Sequence, residues 1–141
     1  MQGWLKRIIF GLGATIIVLV IAGWLLSELL ENAMCGNDYI QTLKSPDTKH
    51  TAVLFQRDCG ATTSFSTQAS IFPRDVYPPN KPGNVFGIEL KGEGPAGYWH
   101  GPIARMTWLD NRTLEIRYDH TATTFRREVR SGAIEVRYVV D

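Results

Sequence analysis

Residues 8–26 read IIFGLGATIIVLVIAGWLL, and this run decides how the rest of the chain is organised. Its nineteen residues, Ile8 to Leu26, carry no charge, and only Gly11, Gly13, Thr15 and Gly23 interrupt the large apolar side chains. As a helix it is about 28 Å long, close to the ~30 Å hydrocarbon core of a bilayer. A helix that is apolar on every face needs a larger protein around it to serve as a buried core helix. The run therefore predicts a single crossing of the membrane, with the lipid bilayer as the chain's first partner.

Outward from the run, Lys6 and Arg7 precede it, and Glu28 and Glu31 follow it. Positive charge stays on the cytoplasmic side during insertion, so the N-terminus is expected inside. Trp4 and Trp24 lie near the two ends, where indole rings favour the interface. The predicted organisation is a cytoplasmic tail (1–7), a transmembrane helix and stalk (8–32) and an exported domain (33–141) at the cell membrane. A cleaved signal peptide is the main rival. Its apolar region is usually about 7–15 residues, and it wants small residues before the cut. Glu31-Asn32-Ala33-Met34 fits that poorly. A lipidated Cys35 would need small residues where Asn32 and Met34 stand. Gly11 and Thr15 have the spacing at which small residues pack helices together, a weak sign of self-association. The oligomeric state stays open.

The net charge is +1, and removing the charges around the span removes two of each sign. Such balance argues against nucleic acid as a partner. From Arg105 onward there are seven Arg and no Lys, mostly alternating with Glu or Thr. That reads as the solvated face of strands; an anion-binding stripe is the sharper alternative.

The two cysteines, Cys35 and Cys59, both fall on the exported side, where an isolated pair usually forms a disulfide. A redox-active pair usually shows Cys-x-x-Cys, which is absent. His50, His100 and His120 are scattered singly, with no His-x-x-x-His pair. No metal, no cofactor and no catalytic constellation is expected.

Beyond the span no helical periodicity survives. Gly36 is a good stop for the helix. His50–Asp58 and Ser66–Phe72 read as a hairpin with a long polar tip, and Val53 and Phe55 oppose Ala52 and Leu54, so both faces are partly covered. Residues 73–84 hold Pro73, Pro78, Pro79, Pro82 and Gly83, a density that no strand interior tolerates. This is the longest irregular segment, and so a candidate binding or lid element. Val85–Lys91 follows as a strand with Phe86, Ile88 and Leu90 inward. Ile103–Leu109 and Arg112–Tyr118 make the plainest hairpin, then come Thr121–Arg130 and Ala133–Val140. Matching Glu-x-Arg-Tyr frames at Arg117 and Arg137 suggest neighbouring strands with paired outer charges. The predicted fold is an all-β exported domain, an antiparallel sandwich or partly open barrel of about seven or eight strands, behind one N-terminal transmembrane α-helix.

The least generic stretch is Arg57-Asp58-Cys59-Gly60-Ala61-Thr62-Thr63, followed by Ser66-Thr67-Gln68-Ala69-Ser70-Ile71 and preceded by Ser45-Pro46-Asp47. It resembles a family of small uncharacterised bacterial exported proteins, membrane-anchored or lipoprotein-like, that share Arg-Asp-Cys-Gly-Ala-Thr-Thr. Gly83-Asn84-Val85-Phe86 and the Trp108 hairpin are similar to that family's later segments. The resemblance covers most of the exported domain and implies export; it brings no activity with it.

Read physically, Arg57, Asp58, Thr62, Thr63, Ser66 and Gln68 are the candidate ligand- or partner-binding loop. The bland alternative makes them strand-end and turn residues around a bridged Cys59. The functional expectation is a non-enzymatic anchored domain that binds a protein or envelope component. Its rivals are an envelope hydrolase using the Thr/Ser loop and a histidine, and a structural subunit that makes contact through its transmembrane helix. A hydroxyl nucleophile needs a base in reach, and no Gly-x-Ser-x-Gly frame supplies one.

Overall fold

The computed structural model describes residues 2–60 and 63–141. The chain divides into two compact units, the N-terminal helix and Cys35–Asp141, each considered by itself. Helix α1 spans Gln2–Met34, and its stretch Gly3–Leu30 is long and apolar enough to cross a membrane. Its two hydroxyls are bonded within the helix: Thr15 Oγ1 donates to the Gly11 carbonyl (2.9 Å) and Ser27 Oγ to that of Trp24 (2.7 Å). A backbone-satisfied helix with no unpaired hydroxyl suits hydrocarbon. Gly36 does not serve as the helix stop. The helix ends at Met34, and Gly36 opens the first strand opposite Asp58.

Among the described residues the second unit has nine strands: β1 Gly36–Lys44, β2 His50–Asp58, β3 Ser66–Pro73, β4 Phe86–Leu90, β5 Ala104–Trp108, β6 Thr113–Tyr118, β7 Ala122–Arg127, β8 Arg130–Ser131 and β9 Ile134–Val140. They form an antiparallel sheet in the order β1-β2-β3-β4-β7 and a mixed sheet in the order β5-β6-β9-β8. The inner faces share one core. Leu54, Ala69, Phe86 and Ile88 come from the first sheet, and Met106, Leu114, Ile116, Ile134 and Val136 from the second. Period-two alternation in β6 and β9 puts these side chains inside and leaves Arg117, Glu135 and Arg137 in water.

Two strand expectations change in the structure. The single irregular strand over 121–130 is split, with β7 joining the first sheet and β8 the second. The crossing lies at Glu128 and Val129, where the Tyr138 hydroxyl donates to the Glu128 carbonyl (2.6 Å) and the Glu128 N–H to Val85 (2.8 Å). In consequence β6 and β9 are neighbours, but parallel, because the chain visits the other sheet between them. The outer charges pair within their own frames, Arg137 with Glu135 (2.9 Å) and Arg117 with Glu115 (3.3 Å). Arg117 also holds Asp141 (2.8 Å).

The sheets do not close into a barrel, yet side chains tie the edges β1 and β5 together. After a bulge between Tyr39 and Gln41, the Gln41 amide acts as a substitute peptide unit. Its Nε2 donates to the Met106 carbonyl (3.3 Å), and its Oε1 accepts the Met106 N–H (3.1 Å). The Trp108 indole donates to Leu43 alongside (3.3 Å). Gln41→Leu should leave both Met106 backbone groups unpaired in a half-buried seam and lower stability by about 1–3 kcal/mol. Chemical denaturation monitored by circular dichroism measures this; an unchanged midpoint would show the tie to be idle.

Three aspartates organise turns. Asp47 accepts from Ser45 Oγ and the Lys49 N–H, Asp110 from the Arg112 N–H, and Asp119 from the Thr121 N–H and Oγ1. These hydrogen bonds hold all three carboxyls below their ordinary value of 3.8. A depressed carboxyl contributes stability that is present above the unfolded-state value and lost as pH falls through the folded one. The melting temperature should therefore be level from neutral pH down to about pH 5 and drop below about pH 4. The variant carrying Asn at all three positions should show a shallower drop, and an acid limb of equal steepness would refute the assignment.

Candidate functional site

The outer face of the β2–β3 hairpin is where the sequence motif and the Pro-rich segment meet. Strand alternation sends Thr51, Val53, Phe55 and Arg57 to this face, opposite Phe72, Ser70, Gln68 and Ser66. Val53, Phe55 and Arg57 are buried there, although they point away from the core. Residues 74–84 cover them as a strap. Gln68 Oε1 accepts the Gly83 N–H (2.7 Å), Ser70 Oγ accepts the Asn84 N–H (3.0 Å), and the Asn84 side chain bonds both backbone groups of Ile71 (2.9 Å each). From β1, Asn37 donates to Lys81 (2.8 Å) and the Tyr39 hydroxyl to Pro78 (3.2 Å). Asn80 donates to the Cys35 carbonyl (2.8 Å). A Cβ on Gly83 would lie 2.6 Å from the Phe86 carbonyl, so the strap can approach this closely only with glycine there. The Cys35–Cys59 disulfide staples the start of β1 to the end of β2 beneath it.

The five described residues of the candidate loop are parted. Arg57, Ser66 and Gln68 lie buried under the strap. Arg57 donates to Asn37 (2.7 Å) and Asn80 (3.5 Å), Ser66 to the Arg57 carbonyl (3.2 Å), and Gln68 to Ser66 Oγ (2.8 Å). Asp58 and Thr63 shape the hairpin tip: Asp58 accepts the Gly60 N–H (2.9 Å), and Thr63 Oγ1 donates to the Gly60 carbonyl (3.1 Å). Gly60 there has φ 99°, which glycine alone adopts readily. Thr62 lies outside the described residues. Arg57, Ser66 and Gln68 thus support the surface that the strap presents.

That surface is an open cavity of about 420 Å³ between the outer face of β1–β2 and the first half of the strap. Thr42, Thr51 and Val53 form its floor, and Tyr39, Arg74, Asp75, Val76, Tyr77 and Pro78 its rim. Tyr77 is 85% exposed and Tyr39 44%. Burial and the nearby Tyr77 phenol hold the Tyr39 phenol above its ordinary value. Arg74 and Asp75 pair at 3.2 Å, so the rim carries both charges and no excess of either. A smaller cavity of about 250 Å³ lies on the other side of Tyr39 and Pro78, over Phe55 and Phe72. Pro78 and the buried Val53 and Phe55 are legible in the sequence; Tyr39, Arg74, Asp75, Val76 and Tyr77 are not singled out there. The available signal was Val76-Tyr77 inside a polar, Pro-rich segment, together with Tyr39 directly after the polar Asn37-Asp38.

The other candidate chemistry is dispersed. His50 opens β2. His100 lies in a turn at φ 64°, its ring 5.7 Å from that of Phe65, and His120 Nδ1 is 2.8 Å from the Asp141 carbonyl. The Thr63 and Ser66 hydroxyls donate to backbone carbonyls. Among the described residues no three His, Cys, Asp or Glu side chains form a metal-binding group. Of the arginines beyond residue 104, Arg117 and Arg137 are paired with carboxylates, Arg105 stands opposite Arg117 across β5–β6, and Arg127 lies over the Tyr138 ring (4.8 Å). Trp99 belongs to the framework, its indole donating to Thr67 Oγ1 (2.9 Å), which donates on to Pro102 (2.6 Å).

The fold and the site together define a two-sheet β module, following an apolar helix, with a strapped and open surface cavity. No protein-family model, curated protein or solved structure matches the chain.

Proposed function

We propose that the protein is a single-pass, membrane-anchored binding module of the bacterial envelope. Its N-terminus is cytoplasmic, and its β-domain captures a protein or envelope component without catalysis. The reading rests on one observation: the strap leaves Tyr77 and Val76 exposed beside Tyr39 while a backbone hydrogen bond from Arg74 to Lys49 before them and side-chain hydrogen bonds at Pro78 and Gly83 after them pin it to the sheet. A pinned loop presents its aromatic side chains at little entropic cost on binding, which is what a recognition surface needs. The span supports anchoring, and the disulfide supports an oxidising compartment.

Complementation of a deletion strain tests this reading. Tyr77→Ala should abolish rescue at unchanged protein level and melting temperature, while separate alanine variants of His50, His100 and His120 should rescue fully. Rescue by Tyr77→Ala, or failure of one folded histidine variant, would favour the envelope hydrolase. Replacing residues 8–26 by an unrelated span should preserve rescue; loss would favour a structural subunit acting through its helix.

A further inference from the structure

We infer that the strapped cavity binds a neutral glycan, through stacking on Tyr77 and Tyr39. The inference rests on the binding reading above and names the ligand's chemistry. A pyranose ring has an apolar, faintly positive C–H face that packs on the negative face of an aromatic ring. Its hydroxyls need donors and acceptors close to that face. The cavity supplies both kinds of contact: two tyrosine rings at the rim, the donor of Arg74 and the acceptor of Asp75, and the hydroxyl-bearing Thr42 and Thr51 on the floor. Its volume of about 420 Å³ has room for a disaccharide, and pockets for small ligands are typically about 300–1,000 Å³.

Other ligand chemistries fit less well. An extended peptide adds to a sheet through an open edge. Beside this cavity the edge strand is β1, where the Leu43 carbonyl is taken by Trp108 and Gln41 is tied to Met106. A Pro-rich peptide would want the Tyr39–Phe55 face, but the chain's own Pro78 and Pro79 lie there, and the Tyr39 hydroxyl already donates to Pro78. An acyl chain wants an enclosed apolar channel, whereas this cavity is open and has a charged pair on its rim. A strongly anionic ligand finds Arg74 already neutralised by Asp75.

The test uses the full chain in lipid nanodiscs prepared without glycoside detergent. Titration calorimetry is run with N-acetylglucosamine trimer, maltotriose and a decaproline peptide. At least one trisaccharide should bind saturably, with Kd on the order of 0.01–1 mM. Tyr77→Ala should weaken that binding about tenfold or more. Tyr98→Ala removes a ring that is 81% exposed on another loop and should leave binding unchanged. Should Tyr77→Ala fail to match the wild-type melting curve, Asp75→Asn, which keeps the ring and disrupts the ion pair, serves in its place with a several-fold loss expected. The proposal is overturned if neither trisaccharide binds at about 10 mM, if binding survives the rim variant, or if decaproline binds in place of sugar. Absent sugar binding combined with failed rescue by Tyr77→Ala would remove the glycan and leave the binding reading standing. Rescue by Tyr77→Ala would remove the binding reading itself.

Discussion

Phe86→Ala should be the most damaging single substitution in the β-domain, costing about 3–5 kcal/mol. Phe86 is fully buried on β4, with its ring between those of Tyr118 (5.2 Å) and Tyr138 (5.6 Å). It therefore joins the first sheet to both central strands of the second. Truncation removes the buried area of the ring and leaves a cavity, and aromatic contacts add to the loss. It also loosens Tyr138, which fixes the Glu128 carbonyl where the chain crosses between sheets. Small domains are stable by roughly 5–15 kcal/mol, so this loss consumes much of the total. Chemical denaturation of the full chain measures it. A shift below about 1 kcal/mol would mean that the two sheets do not share this core.

Removing the disulfide should cost about 3 kcal/mol on the chain-entropy account, given a separation of 24 residues between Cys35 and Cys59. The double variant Cys35→Ser, Cys59→Ser and the reduced wild type should lose the same amount. The two routes remove the same constraint on the unfolded chain. The damage should reach the strap as well, since Asn80 holds the carbonyl of Cys35 itself. Hydrogen exchange at Asn80 to Gly83 should then speed up before that of the core strands. Equal denaturation midpoints with and without reductant would show that the staple is dispensable. Persistent strap protection would show that the bonds at Asn37, Tyr39, Gln68, Ser70 and Asn84 hold the loop without the staple.

Both results bear on function, because the proposed surface is only as good as its support. The motif residues Arg57, Ser66 and Gln68 contribute by bonding to each other and to the strand and strap groups above them. A substitution such as Gln68→Ala would act on Tyr77 indirectly, through the position of the strap. This distinguishes the buried motif from the rim, where loss of a side chain would remove contact with the proposed ligand and should leave the fold intact.

Much of the architecture could be read from local signals. The apolar run 8–26, the alternation in 113–118 and 134–140, the hairpin turn at Asp110-Asn111 between 103–109 and 112–118, and the Pro-rich interruption are each properties of neighbouring residues. The pairing of two lone cysteines needed no geometry. The burial of Val53 and Phe55 against the outer face was visible as apolar residues at both parities of one strand. The split of 121–130 was not, because β7 and β8 follow the same local pattern whichever sheet they enter. Nor was the bonding of Arg57 and Gln68 to a segment more than ten residues away.

The sequence by itself determined that an apolar helix precedes one cross-linked β-domain, because hydrophobic period, charge flank and cysteine count are additive along the chain. Only the tertiary structure decided that β6 and β9 run parallel, that Gln41 ties two edges, and that the strap lies across β1–β3 to leave a cavity at Tyr39 and Tyr77. Those outcomes turn on which distant backbone groups satisfy one another. That choice is made when the sheets assemble, and no stretch of neighbouring residues records it.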